Sequence, residues 1–119
     1  MNKIDTVWKI FAGYLLFIIL MLATNLLSAQ IVVTHFNAAW NDANKVEYVD
    51  KLKDCDVVYV DIAKSPKLQS KHEIIVVPTI LVFKDGEEVK RYQADISFSM
   101  KATRKEVQDF INELLMSDF

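Results

Sequence analysis

The chain has 119 residues with a formal net charge of −2, and 52% of them are apolar, which limits it to one domain of ordinary size. From Gln30 onward 12 Lys and Arg face 15 Asp and Glu, which excludes a basic nucleic-acid surface, and two glycines exclude a Gly-rich phosphate loop. The lone cysteine, Cys55, excludes an internal disulfide and any multi-thiolate zinc or iron–sulfur centre.

The first element is apolar throughout. No Asp, Glu, Lys or Arg lies between Lys9 and Asp42, and 16 of the 20 residues at 10–29 are apolar. Eleven of these are Leu, Ile or Phe, each contributing roughly −0.3 to −0.6 kcal/mol toward membrane insertion. Lys3 and Lys9 outnumber Asp5 and hold the N-terminus in the cytoplasm, so whatever follows Ala29 is expected to be exported. Residues 1–29 therefore read as a signal peptide or an N-terminal membrane anchor. The unbroken run of 14 residues at 10–23 suits a signal core, and Ser28-Ala29 before Gln30 offers a cleavage point. Counted through Ala29, the 20 residues could instead span about 30 Å of hydrocarbon. A buried helix of a soluble domain is the poorer reading, because a helix apolar all round has no solvent face. The expected location is the exported side of the cytoplasmic membrane, periplasmic in a bacterium, anchored by residues 10–29 or released near Ala29.

Residues 30–119 then form the folded domain. Residues 30–36 are β-branched and apolar, a buried strand. Asn41 or Asp42 is placed to cap a helix reaching Lys53, with Val46, Val49 and Leu52 on its inner face. A second buried strand follows at 57–62. Ser65-Pro66 opens a short helix to about His72, with Pro at the first helical position. Pro78 precedes a third strand at 79–83, Asp85-Gly86 is a hairpin turn, and the charged fourth strand at Glu87–Gln93 suits a sheet edge. Thr103 and Glu106 form a capping box before an apolar stripe of Val107, Phe110, Ile111, Leu114 and Leu115. The order β-α-β-α-β-β-α predicts an α/β fold: a mixed four-stranded sheet with helices on both faces. Its expected core is Val32, Phe36, Val58, Val60, Ile80, Val82, Phe110, Ile111 and Leu114.

These residues resemble the thioredoxin family. The strand and loop from Val32 through Phe36 and Trp40 to Asn44 are similar to the family's first long strand and active-site loop. Val77-Pro78-Thr79 and the run to Gly86 resemble its cis-proline segment, strand and hairpin, and residues 61–66 resemble the exit of its second strand. The likeness covers about residues 30–117, and the family's extra N-terminal strand and helix are absent. By that resemblance Asn41 and Asn44 stand at the two cysteine positions, His35 at the buried acid, Tyr59 at a nearby lysine and Ala94 at a late glycine. The redox constellation is thus expected to be lost, since a carboxamide is neither a nucleophile nor able to form an S–S bond. The resemblance also implies a cis Val77–Pro78 bond that turns Val77 outward to pair with an extended peptide.

Each candidate has a plainer reading beside it. His35 on a buried strand reads first as a satisfied core histidine, and Asn41 and Asp42 as helix caps. Cys55, flanked by Asp54 and Asp56, should be a poor nucleophile. Lys101, Arg104 and Lys105 read as a solvated rim. Trp40, large and placed in an uncharged loop, is harder to explain away. The expectation is a redox-inactive, exported, membrane-tethered module that holds a polypeptide through Trp40, Asn41, Asp42, Asn44, Val77, Pro78 and Thr79. It is not expected to be an enzyme, and no cofactor, metal or nucleic-acid partner is expected. The alternatives are a structural subunit of a membrane protein complex, or an oxidoreductase relative with a residual redox role through Cys55.

Overall fold

The computed structural model describes residues 30–117. The expected signal or anchor, residues 1–29, lies outside them, and among the described residues no helix is long and apolar enough to cross a membrane.

Three runs rich in β-branched residues and one charged run form one sheet: β1 (Ile31–Asn37), β2 (Asp56–Asp61), β3 (Thr79–Lys84) and the charged β4 (Glu87–Gln93), in the order β2-β1-β3-β4. β2 lies parallel to β1, as a crossover connection requires, and β3 and β4 are antiparallel additions. The β3–β4 turn falls at Asp85-Gly86, both with positive φ (52° and 86°), the backbone that a tight two-residue hairpin demands. The mixed sheet expected from the pattern is the one observed.

Alternation along β1 divides the core. Ile31 and Val33 pack on one face with Val46, Val49, Leu52, Ile80, Val82, Val107 and Ile111. Phe36 packs on the other with Ile74, Val77 and Leu81. The helix α1 (Pro66–Lys71) has Ser65 at its N-cap position and Pro66 at its start. The long helix α2 (Arg104–Met116) begins where the Thr103 hydroxyl accepts the Glu106 N–H at 3.2 Å, the Thr half of the capping box.

Three expectations are corrected. The single helix across 41–53 is two 3-10 helices, Ala39–Asn44 and Glu47–Lys51, broken at Lys45 and Val46. The break has a cause: the Val46 N–H donates to the His35 ring at 3.1 Å instead of to a helical carbonyl. Neither Asn41 nor Asp42 is a cap, since Ala38 holds the N-cap position and Asn41 lies inside the first turn with φ −108° and ψ 20°. Val46, Val49 and Leu52 nevertheless reach the core. Finally, β2 is an edge strand, with Val58 44% and Tyr59 59% exposed. Of the expected core, Phe36, Ile80, Val82 and Ile111 are buried, Val32, Val60, Phe110 and Leu114 are half-buried, and Val58 is exposed.

Candidate functional site

The C-terminal end of β1 runs into the first 3-10 helix, and three asparagines knit that junction together. Asn37, the last residue of β1, donates its side-chain N–H to the Asn41 carbonyl at 3.2 Å. Asn41, only 4% exposed, donates in return to the Asn37 Oδ1 at 3.1 Å and also to the Val77 carbonyl at 3.3 Å. Asn44 donates to the Asn41 Oδ1 at 2.9 Å. The Asn41 carboxamide thus has partners on both its nitrogen and its oxygen, as a buried polar group must.

The Val77–Pro78 bond is cis. Through Asn41 the loop and the proline segment meet, although 36 positions separate Asn41 from Val77. The segment is fixed further by Thr79 Oγ1 donating to the Val76 carbonyl at 2.7 Å and by the Ala94 N–H donating to the Pro78 carbonyl at 3.0 Å. Val77, Pro78 and Thr79 are all buried. Of the two peptide groups that the resemblance leaves free at Val77, the carbonyl already accepts one hydrogen bond, from Asn41.

The accessible part of the site is aromatic. Trp40 is 67% exposed, and its ring stands edge-on to Phe98, with centroids 5.3 Å apart and planes at 89°. Phe98 sits in a left-handed backbone conformation (φ 61°) in the loop after β4. That loop is organised by Asp95, whose carboxylate accepts from the Ser97 N–H (2.9 Å), the Ser97 hydroxyl and the Ser99 N–H (3.3 Å), and pairs with Lys101. The Ser97 hydroxyl, with those backbone donors and Lys101, holds the Asp95 carboxyl down at about 2. Phe98 was missed in the sequence. The signal was an aromatic residue inside Asp95-Ile96-Ser97-Phe98-Ser99, where an Asx turn was legible.

Asp42 and Asn44 are exposed at the rim. His35 is buried, and its Nε2 accepts the Val46 N–H, which requires a neutral ring protonated at Nδ1. Burial lowers its pKa from the ordinary 6.5. Its ring lies 5.5 Å from Tyr59 at the head of an open cleft of about 740 Å³ between the 3-10 helices and β2. Cys55 is half-buried, its thiol pushed up by burial and by Asp56 and Asp54. It precedes β2 at the opposite end of the sheet from Asn41, about 20 Å away by strand length. Among the described residues no group of three or more His, Cys, Asp and Glu is placed to hold a metal ion.

Comparison with known proteins gives the same frame. The family model for thioredoxin matches residues 23–112. A thioredoxin of Staphylococcus epidermidis is 35% identical over 54 residues, covering 45% of this chain and 49% of that protein. A Staphylococcus aureus thioredoxin is 33% identical over the same shares. The matched region spans about half the length of these curated relatives. Among solved structures, a mutant thioredoxin from Halobacterium salinarum superposes with a TM-score of 0.59 at 23% identity, over 72% of this chain and 75% of that one. A malaria parasite thioredoxin-2 superposes with a TM-score of 0.59 at 19% identity, over 72% and 84%.

Proposed function

This chain belongs to the thioredoxin family, and within that family we propose that it is a redox-inactive, exported and membrane-tethered module that holds a polypeptide. The observation that carries the reading is the carboxamide pair Asn41 and Asn44, hydrogen-bonded to each other at 2.9 Å where the resemblance puts the reactive cysteines. Thiol–disulfide exchange needs an attacking thiolate and a resolving thiol, and a carboxamide supplies neither. Cys55 does not replace them: its thiol is pushed up by burial and by two flanking carboxylates, and it lies at the other end of the sheet.

Binding rests on different groups. With residues 77–79 buried, the contact falls to the exposed Trp40–Phe98 pair, an aromatic platform of the kind that anchors protein partners. Asp42 and Asn44 form its polar rim. The tether is residues 10–29, and with only Gln30 between them and β1 the domain would stand directly on the membrane. The platform, at the far end of β1, would then face away from the lipid by about one strand length, ~20 Å.

The experiment has two arms, both on the full chain in detergent. In an insulin-reduction assay the protein gives no turnover above the uncatalysed rate. A reduced and carboxymethylated unfolded protein binds to it, and Trp40→Ala weakens that binding far more than Lys105→Ala. Turnover that disappears in Cys55→Ser overturns the redox-inactive reading. Equal effects of the two substitutions overturn the platform and leave a structural subunit of a membrane complex.

A further inference from the structure

A second surface lies along the outer side of β2 and meets the rim of the Trp40 platform only at Asp42. That strand ends the sheet, is paired with β1 alone, and has no partner on its other edge among the described residues. The pairing direction settles which peptide groups point outward. The Ile62 N–H donates to the Asn37 carbonyl at 2.9 Å. With a two-residue period, the peptide groups of Val58 and Val60 turn toward β1, and those of Val57 and Tyr59 turn away from it. Proteins protect such edges with Pro, Lys or a bulge. Asp56–Asp61 contains no Pro or Lys, its register with β1 is unbroken, and Val58 and Tyr59 at its centre are exposed.

The flank of this edge is charged. Tyr59 and Asp61 line the 740 Å³ cleft, whose other wall brings Asp42, Glu47 and Asp50 against only Lys45 and Lys51. Ion pairs among the described residues lie elsewhere, at Arg91–Glu88, Lys101–Asp95 and Lys105–Asp109. A strand laid along β2 would therefore have an acidic wall on its Tyr59 side and the apolar Val58 on the other.

We propose that the β2 edge accepts an extended basic polypeptide segment as a fifth strand. Its Lys or Arg side chains, at every second position, point into the cleft, and the alternate apolar ones lie beside Val58. Main-chain bonds to Val57 and Tyr59 hold the strand, and the carboxylates choose its charge. A second copy of this chain is disfavoured as the occupant. Two β2 strands joined antiparallel about a two-fold axis keep the same face of the sheet uppermost, which brings two acidic clefts together.

The test titrates the full chain in detergent with an acetylated, amidated peptide of four Lys-Val repeats. Binding is expected to perturb the amide resonances of Val57 and Tyr59 and to weaken about tenfold or more between about 50 and 500 mM salt. The matching Glu-Val peptide should bind at least about tenfold less tightly. Tyr59→Pro deletes an outward N–H without touching the β1 ladder and should cost about tenfold in affinity. Should that variant not fold, Glu47→Gln with Asp50→Asn, both at exposed positions, should give a comparable loss at unchanged Tm. Trp40→Ala should leave this affinity as it is, which separates the edge from the platform. The proposal is overturned by equal binding of the Glu-Val peptide, by unchanged affinity in either folded variant, or by perturbations confined to residues 40 and 77–79. Self-association of the protein without peptide, abolished by Tyr59→Pro, would overturn it in favour of a second copy.

Discussion

The side-chain amide of Asn41 reaches the carbonyl oxygen of Val77 at 3.3 Å and ties the loop after β1 to the segment entering β3. One carboxamide thus decides how the two segments sit relative to each other. It also explains why a polar residue is tolerated at a position only 4% exposed.

Asn41→Ala should therefore destabilise the domain by about 1–3 kcal/mol, because Asn37 Oδ1 and the Val77 carbonyl lose a donor in a buried setting. Asn41→Asp should cost more, since it turns an oxygen toward both acceptors. Asn44→Ala removes one part-buried bond and should cost less than about 1 kcal/mol. Urea denaturation of the three variants gives the order. A larger loss for Asn44 than for Asn41 would rule out the clasp.

In the core, Ile111→Ala should cost about 2–5 kcal/mol, as its side chain is fully enclosed beneath α2. Phe110 is only half-buried and lies under the Lys90 ammonium, 5.8 Å from the ring centroid. Phe110→Ala should accordingly cost less than Ile111→Ala, although phenylalanine is the larger side chain. Paired thermal or chemical melts decide it.

How much of this was legible beforehand follows from where each signal resides. The strands and the Asp85-Gly86 hairpin are written locally, in β-branched runs and a turn dipeptide, and they appear where the pattern puts them. The stripe along α2 is likewise local. The helix expected at 41–53 failed because its break depends on a tertiary bond from Val46 to His35, eleven residues earlier. β2 reads like any buried strand, and its exposure follows from being last in the sheet order, which composition does not encode. At the candidate site, the cis bond at Pro78 follows the resemblance, and Trp40 stood out as a large ring in an uncharged loop. Phe98 and the asparagine network were not found, because Asn reads first as a cap, and its long-range acceptor is invisible in one dimension.

Stability should fall with pH in two separate windows. Burial favours the neutral His35, so the unfolded chain binds more protons below 6.5, and stability drops as pH falls through that value. Asp95 is held at about 2 against an ordinary 3.8, so its contribution is present above 3.8 and lost as pH falls through about 2. His35→Gln keeps an acceptor for the Val46 N–H and should flatten the first window alone. Asp95→Asn should flatten the second. Denaturation midpoints across pH read both, and a first window that survives in His35→Gln would assign it to another group.

Cys55 should be slow toward alkylating agents, with the half-maximal rate above pH 9.0, because burial and the carboxylates of Asp56 and Asp54 all disfavour its thiolate. Cys55→Ser should leave folding and binding nearly unchanged. Asn41→Cys combined with Asn44→Cys places two thiols where two side chains now touch at 2.9 Å. Exchange activity in that variant should stay weak, because His35, neutral and already accepting from Val46, stands where the resemblance puts a carboxylate. Strong activity would show that the imidazole serves as proton acceptor after all.

Trp40 separates two accounts of the site. A lid on the core would be buried and would stabilise the domain, so its removal would cost several kcal/mol, as large-to-small changes in cores do. Trp40 is instead 67% exposed and rests edge-on against Phe98, an aromatic contact worth about 0.5–1.5 kcal/mol. Trp40→Ala should therefore lower stability by no more than about that amount, while cutting capture of an unfolded polypeptide sharply. Phe98→Ala should do the same, and the double variant should lose little beyond either one, because each ring positions the other. Lys105, solvated and paired with Asp109 on α2, serves as the control whose removal changes neither quantity. A large stability loss with binding intact would make Trp40 a structural residue and leave the platform without a role.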